Sequence, residues 1–192
     1  MTMSNPSFTR DEILELWEHL TPDEQAEIMS LFDQMPIWTP IAGVQTQAYL
    51  SKATITGYGG AAGGGKTDLA VGLALTEHQR VMIVRDEAKQ LKGITDRVIE
   101  IVGHRKGFNS VGGAWTNPVP NCLIDLLGIP NIGDETKMQG VPHDLIVFDE
   151  TANLRESQVR FLMGWLRSAD PKQRKRVLMT FNPPTTAEGR WV

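Results

Sequence analysis

Residues 60–67 read Gly60-Ala61-Ala62-Gly63-Gly64-Gly65-Lys66-Thr67, and this stretch decides the fold. It matches the pattern G-x-x-x-x-G-K-S/T in full, which is typical of a loop that binds phosphate groups. Glycines let the backbone fold tightly enough for its N–H groups to point at the phosphates, and a helix that begins at the loop adds the positive end of its dipole. We predict that the eight residues bind a nucleotide, that Lys66 contacts the β- and γ-phosphates, and that Thr67 binds Mg²⁺.

Strands and helices alternate on both sides of this loop. Strands are predicted over 53–58, 81–84, 144–148 and 177–181, with helices over 66–77, 88–102 and 157–168. Two further strands are predicted near 110–115 and 122–127, in a stretch rich in Gly, Asn and Pro. A glycine-rich hairpin turn is the alternative reading of residues 60–67, and the strand before and helix after disfavour it. The alternation implies a mainly parallel sheet with helices on both faces.

A second motif stands at the end of the apolar strand Leu145-Ile-Val-Phe148, where two carboxylates, Asp149 and Glu150, follow. Parallel sheets place their chemistry at the carboxyl ends of their strands. We predict that Asp149 holds Mg²⁺ and that Glu150 polarises the water that attacks the γ-phosphate. The adjacent glutamate favours a hydrolase over a kinase, because a kinase must keep water out of the reaction. The predicted fold class is therefore α/β, a P-loop NTPase of the ASCE type with a mainly parallel central sheet flanked by helices.

The ends of the chain add less specific signals. Capping boxes begin at Thr9 and Thr21, so residues 1–35 are predicted to form a short helical extension before a P-loop ATPase domain over 36–192. Thr180 and Asn182 lie at the end of the next predicted strand, where they could sense a γ-phosphate. On spacing alone, a simple turn at Asn182-Pro183 is the better interpretation.

Composition limits the remaining function classes. The 192 residues carry a formal net charge of −4, so any DNA contact needs a local basic patch or several subunits. One cysteine, Cys122, allows no disulfide within the chain, and the four histidines show no metal-ligand spacing. The basic run 172–176 is interpreted as a solvated connection, with contact to DNA phosphates as the alternative. No stretch approaches the roughly 20 apolar residues of a membrane span, so we expect a cytoplasmic protein without membrane contact.

Four stretches together resemble the large terminase subunit of tailed phages: 59–67, 139–150, 164–168 and 180–191. The resemblance covers roughly residues 36–192. It implies an ATPase domain that packages double-stranded DNA through a portal ring, and a following nuclease domain with an RNase H-like fold. It further implies ATP and Mg²⁺ as cofactors, and the portal protein, the small terminase subunit and copies of the chain itself as partners, in the host cytoplasm. We expect the chain to stop before the nuclease domain and to lack nuclease activity.

The resemblance also assigns residues. It implies residues 60–67 as the phosphate loop, Asp149 for Mg²⁺, Glu150 as the catalytic carboxylate, and Thr180 with Asn182 as a motif that couples hydrolysis to movement. A glutamine before the first strand contacts adenine in this family, which makes Gln47 the first choice and Gln45 the alternative.

One position departs from the family pattern. Many members carry an arginine four residues before the loop lysine, where this chain has Ala62. The charge-stabilising arginine must then come from elsewhere. We expect Arg85, at the end of the second predicted strand, or an arginine of a neighbouring subunit.

Two functions of other classes remain open at this point. A P-loop kinase would transfer the phosphate to an acceptor, and a non-catalytic assembly module would use ATP only as a switch. The acidic pair 149–150 weighs against the first. A variant at Glu150 separates the second from a hydrolase, since a switch loses little without that carboxylate.

Overall fold

The computed structural model describes residue 17 and residues 19–61, 63–184, 187 and 189–192, without the side chains of residues 29 and 31–34. The first capping box, at Thr9, and the loop position Ala62 lie outside the described residues. The chain divides into two compact units, Met1–Pro36 and Ile37–Val192. The functional division at residue 36 stays a prediction. No helix in the described part is long and apolar enough to cross a membrane.

The first unit contains helix α1, Pro22–Gln34. Its predicted capping box is confirmed: the Glu24 carboxylate accepts hydrogen bonds from the Thr21 N–H (2.8 Å) and hydroxyl (2.7 Å), and the Glu24 N–H donates to the Thr21 hydroxyl oxygen (3.4 Å). These bonds satisfy groups that a helix start leaves unpaired, and they lower the pKa of Glu24.

A seven-stranded sheet, counted over the described residues, forms the centre of the second unit. Its strands are β1 Ile55–Gly59, β2 Arg80–Arg85, β3 Phe108–Asn109, β4 Ala114–Thr116, β5 Leu123–Gly128, β6 Leu145–Phe148 and β7 Arg176–Phe181. The spatial order is β1-β7-β6-β2-β5-β4-β3. The first five strands in this order pair in parallel, and β4 and β3 add an antiparallel edge. The predicted fold class, a mainly parallel α/β sheet, is confirmed.

Helices flank this sheet. They are α2 Val44–Leu50, α3 Lys66–Thr76, α4 Lys92–Val102 and α5 Glu156–Met163, with 3₁₀ turns at Ala88–Leu91, Asp134–Met138 and Thr151–Asn153. Alternate residues of a strand face opposite sides, so the fully buried run in β6 supplies two cores. Leu145 and Val147 belong to the core with α3 and α4, whereas Ile146 and Phe148 belong to the core with α5.

Two expectations from the sequence need correction, and one helix was missed. The helix expected over 157–168 ends at Met163, because the backbone at 165–167 pairs with His143 through His143 N to Trp165 O (3.0 Å) and Arg167 N to His143 O (2.8 Å). The strand expected over 110–115 is a hairpin whose turn lies at 110–113, held by the Asn109 side-chain oxygen (3.1 and 3.0 Å from the N–H groups of 111 and 112). Helix α2 was not predicted.

The basic run 172–176 is also not a purely solvated connection. Arg176 is 1% exposed, and its Nη2 donates to Tyr49 O (3.0 Å) and Ser51 O (2.8 Å). Arg174 donates to Ser51 O as well. Burial lowers the pKa of Arg176 to about 10, with Arg174 adding to the effect, and the group stays charged at neutral pH. These two arginines of the run thus hold the segment between α2 and β1 to the start of β7.

Candidate nucleotide site

The predicted phosphate loop connects β1 to α3 at the carboxyl edge of the sheet. Gly63 and Gly65 have φ angles of +83° and +68°, a region that side chains rarely adopt, so the glycines of the motif are needed by the backbone. The loop is fixed at two points. Gly60 N donates to Phe181 O (3.2 Å) on β7, and the Tyr58 hydroxyl donates to Gly64 O (2.9 Å).

Lys66 and Thr67 begin helix α3. The Lys66 ammonium group donates to Gly60 O (2.8 Å) and Ala61 O (2.7 Å), so the charge lies over the loop itself. The Thr67 hydroxyl lies 3.4 Å from Asp149 Oδ2. These two residues are separated by 82 positions in the sequence, and the sheet brings them together at one edge.

Asp149 follows β6 and is almost completely buried, at 1% exposure. Arg85 ends the neighbouring strand β2 and donates to Asp149 Oδ2 from Nε (2.9 Å) and from Nη2 (2.6 Å). On the other side, the Thr180 hydroxyl of β7 donates to Asp149 Oδ1. Strand order explains both contacts, because β2 and β7 are the two neighbours of β6. The buried carboxylate is therefore held by charge on one side and by a hydroxyl on the other.

Glu150 is more accessible than Asp149 and has a left-handed backbone, with φ +57° and ψ +45°. Its side chain is 38% exposed; Oε1 lies 3.6 Å from Arg85 Nη2 and Oε2 accepts from Asn153 Nδ2 at 3.4 Å. Its N–H donates to the Thr180 hydroxyl oxygen (3.2 Å). A non-glycine residue in this region carries local strain, which is typical of functional turns. The carboxylate is thus oriented and still open to solvent.

The predicted coupling pair separates in the structure. Thr180 is fully buried, and its carbonyl oxygen accepts from the Thr151 hydroxyl (3.0 Å), so it joins β7 to the turn after Glu150. Asn182 is exposed beyond the end of β7. The structure therefore brings Thr180, and not Asn182, to the two carboxylates.

The two candidate glutamines also differ. Gln47, the first choice for adenine, is exposed on α2. Gln45, the alternative, is 3% exposed, and its Nε2 donates to Gly65 O (3.0 Å) in the phosphate loop. Two positions along a helix differ by about 200° in direction, which explains why only one of them faces the loop.

Several contacts of this site have no signal in the sequence. Examples are the contact of Tyr58 with the loop and that of Asn153 with Glu150. A third is the hydrogen bond from Arg85 Nη1 to the Gln90 carbonyl oxygen (3.0 Å). A cavity of about 390 Å³ opens beside Thr67 and Arg85 and is bounded on its far side by residues of α4. The three contacts lie within six residues along the chain and depend on the conformation of the local turns, whereas the cavity depends on which elements are neighbours.

The donor set at the loop fits a magnesium ion. Mg²⁺ prefers oxygen ligands and is commonly held by one or two protein groups together with phosphate oxygens and water. The Thr67 hydroxyl and the Asp149 carboxylate provide two such oxygens 3.4 Å apart, close enough to face one ion.

No protein-family model matches the chain, and no curated protein matches its sequence. Among solved structures, the large terminase from a thermophilic bacteriophage matches with a TM-score of 0.56 and 16% identity, over 76% of this chain and 40% of that one. The chain folds like a phage large terminase.

A second structure of the same thermophilic-phage terminase, in complex with ADP, matches with a TM-score of 0.52 and 16% identity, over 72% of this chain and 37% of that one. The terminase-like chain therefore spans about two fifths of the length of the terminase that it matches. At this identity the likeness concerns the fold.

Proposed function

We propose that this chain is the ATP-hydrolysing domain of a phage DNA-packaging motor, which drives double-stranded viral DNA into a procapsid. The observation that carries the proposal is the meeting of a complete phosphate loop with Asp149 and Glu150, where Thr67 and Asp149 lie 3.4 Å apart. A terminase of similar fold has been solved in complex with ADP, which supports nucleotide binding by this fold.

The residues of the site would have the following roles in ATP hydrolysis. Lys66 and the loop N–H groups bind the β- and γ-phosphates. Thr67 and Asp149 hold Mg²⁺, which neutralises phosphate charge when bound. Glu150 accepts a proton from the attacking water, since its carboxylate is oriented and open to solvent.

Arg85 is the proposed charge-stabilising arginine within the chain. Its Nε and Nη2 both contact Asp149, and Nη1 donates to Gln90 O. To reach a phosphate, the guanidinium must break its contacts with Asp149. An arginine of a neighbouring subunit remains the alternative.

The partners follow from the proposed motor. We propose that copies of the chain associate into a ring on the portal protein, with the small terminase subunit delivering the DNA, in the host cytoplasm. A net charge of −4 gives one copy little attraction for DNA, so several copies around one duplex are needed. Thr180 and Asn182 are the proposed coupling residues: Thr180 links β7 to the carboxylates, and Asn182 is exposed beyond the end of β7.

The experiment is to measure ATP turnover and ATP binding in Glu150→Gln and Lys66→Ala. Glu150→Gln should bind Mg-ATP normally and lose about 10²–10⁴-fold in turnover, because the amide cannot accept a proton. Lys66→Ala should lose binding, because the point charge on the phosphates is gone. Double-stranded DNA should raise turnover at protein concentrations high enough for several copies to bind one duplex.

Three outcomes would contradict the proposal. Normal turnover in Glu150→Gln would favour a nucleotide switch, and phosphate transfer to an acceptor in place of water would favour a kinase. Normal binding in Lys66→Ala would remove the phosphate-loop assignment. If the Asp149→Asn variant bound Mg-ATP normally and failed only in hydrolysis, the proposed roles of Asp149 and Glu150 would be reversed.

A further inference from the structure

The side chain of Gln45 lies on the phosphate loop with its amide almost fully engaged. It is 3% exposed. Its Oε1 accepts from the Ile41 N–H, and its Nε2 donates to Gly65 O (3.0 Å) and to Asp68 Oδ2 (3.3 Å). A glutamine amide offers two N–H donors and one carbonyl oxygen. Both donors and the carbonyl oxygen are therefore used within the protein.

This arrangement does not suit recognition of a base. A glutamine that reads adenine does so with two hydrogen bonds at once, accepting from the exocyclic N–H and donating to a ring nitrogen. Gln45 has no donor left for this. To free one, its amide would have to abandon Gly65 or Asp68 in a site almost closed to water, and leaving a buried polar group unpaired is unfavourable.

The groups that Gln45 holds set the geometry of the loop. Gly65 is the N-cap of α3, with φ +68° and ψ +23°, and its carbonyl oxygen also accepts the first helical bond from Leu69 N (2.9 Å). A Cβ on Gly65 would lie 2.6 Å from Gln45 Nε2. Gln45 therefore contacts the residue where loop becomes helix, immediately before Lys66.

Asp68 extends the contact into a network. Its carboxylate accepts from Trp38 Nε1 (3.2 Å), from Gln45 (3.3 Å) and from Arg97 Nε on α4 (2.8 Å). The segment before β1, helix α3 and helix α4 are thus joined at the base of the loop.

We infer that Gln45 is a positioning residue for the phosphate loop, which fixes Gly65 and so aims the Lys66 ammonium and the first N–H groups of α3, and that it does not read the base. The inference rests on the proposed function, in that the loop must bind a nucleotide. It predicts that loss of Gln45 weakens the binding of phosphate groups regardless of the base attached to them.

The test measures Mg²⁺-dependent binding of pyrophosphate, ADP and GDP to the whole chain by calorimetry. Gln45→Glu and Gln45→Met keep the length of the side chain and remove the donors. Each should weaken all three ligands by about tenfold, the effect of losing one buried hydrogen bond, and leave the ADP-to-GDP ratio unchanged. Leu50→Ala, on the same helix and 59% exposed, should change none of the three affinities.

Rescue separates positioning from general destabilisation. In Gln45→Glu the carboxyl group regains an O–H donor when protonated, and burial beside the Asp68 carboxylate raises its pKa. Its affinity relative to the wild type at the same pH should therefore recover as the pH falls from about 8 to about 5. Gln45→Met should show no recovery. Unfolding temperatures, measured in parallel, establish which variants are folded at the temperature of the titration. The inference is judged only on affinities measured with folded variants.

Other results would overturn the inference. A changed ADP-to-GDP ratio with unchanged pyrophosphate affinity would make Gln45 a base-reading residue. Unchanged affinity for all three ligands would show that the contact with Gly65 is unimportant. If the wild type bound none of the three, the proposed function itself would fail, which is a separate outcome.

Discussion

At the scale of single residues, Arg85 has a structural consequence apart from any role in hydrolysis. Its side chain is 14% exposed and that of Asp149 is 2% exposed, so the pair is mostly shielded from water. Removing one partner of such a pair leaves an uncompensated buried charge, which costs about 3–5 kcal/mol. The Thr180 hydroxyl still donates to Asp149 and offsets part of this cost.

We therefore expect Arg85→Ala to lower the free energy of unfolding by about 3 kcal/mol, measured by chemical denaturation. Arg160→Ala is the matched control. Arg160 pairs with Glu156 at 2.6 Å, but its side chain is 75% exposed, and such pairs contribute between about 0 and 1 kcal/mol. Equal losses in the two variants would show that the Arg85–Asp149 contact does not stabilise the fold.

At the scale of elements, helix α3 contains a glycine whose role is steric. Gly72 lies against the ring of Trp38, and a Cβ on Gly72 would overlap three ring atoms. The ring is 7% exposed, and its Nε1 donates to Asp68, so it cannot move aside cheaply. Replacing a helical glycine by alanine ordinarily stabilises by up to about 1 kcal/mol, whereas overpacking a core costs about 1–3 kcal/mol.

In α3 we expect the cost of the steric overlap to exceed the gain in helix propensity. Gly72→Ala is expected to lower the unfolding temperature. Gly93→Ala in α4 is the control, because no described atom lies within 4 Å of the Cβ it would add, and this variant should be neutral or slightly stabilising. If Gly72→Ala were as stable as Gly93→Ala, the close packing of Trp38 on α3 would be wrong.

Apolar patterns in the sequence predicted several of the helices and strands correctly. Buried strands such as β6 and helices such as α4 come from local apolar patterns, and the sequence predicted them to within a few residues. Helix α5 was predicted too long, because its last expected turn pairs with His143 from another part of the chain. Tertiary pairing overrides local propensity at such positions.

At the scale of the whole molecule, Cys122 reports on global unfolding. The thiol is 1% exposed, its Sγ lies 3.3 Å from Ala74 O, and burial, with the nearby Asp144 charge, raises its pKa to about 12. The unfolded thiol has a pKa of about 8.5. Above that pH the folded state retains a proton that the unfolded state has lost, so the free energy of unfolding falls as pH rises.

This contribution should be complete below about pH 8 and be lost progressively between about pH 9 and 12. Denaturation of the wild type and of Cys122→Ala from about pH 7 to about pH 11 isolates it, since other titrating groups are common to both. The wild type should lose up to about 1.4 kcal/mol more per pH unit than the variant. In native protein at about pH 8 the thiol should resist alkylation. Parallel pH profiles, or rapid alkylation, would contradict the buried position.

The sequence by itself determined the parts of this protein that depend on neighbours along the chain. The phosphate loop, the strand ending in Asp149 and Glu150, and the parallel α/β class follow from local patterns and from the chemistry of those residue types. The −4 charge and the single cysteine follow from composition.

Only the tertiary structure decided which distant groups meet. The order β7-β6-β2 places Thr180 and Arg85 on opposite sides of Asp149, and it leaves Asn182 exposed. The direction of α2 turns Gln45, and not Gln47, onto Gly65. The physical reason is that strand order and helix orientation are set by burial of apolar faces summed over the whole core, and no spacing between two residues in the sequence contains that sum.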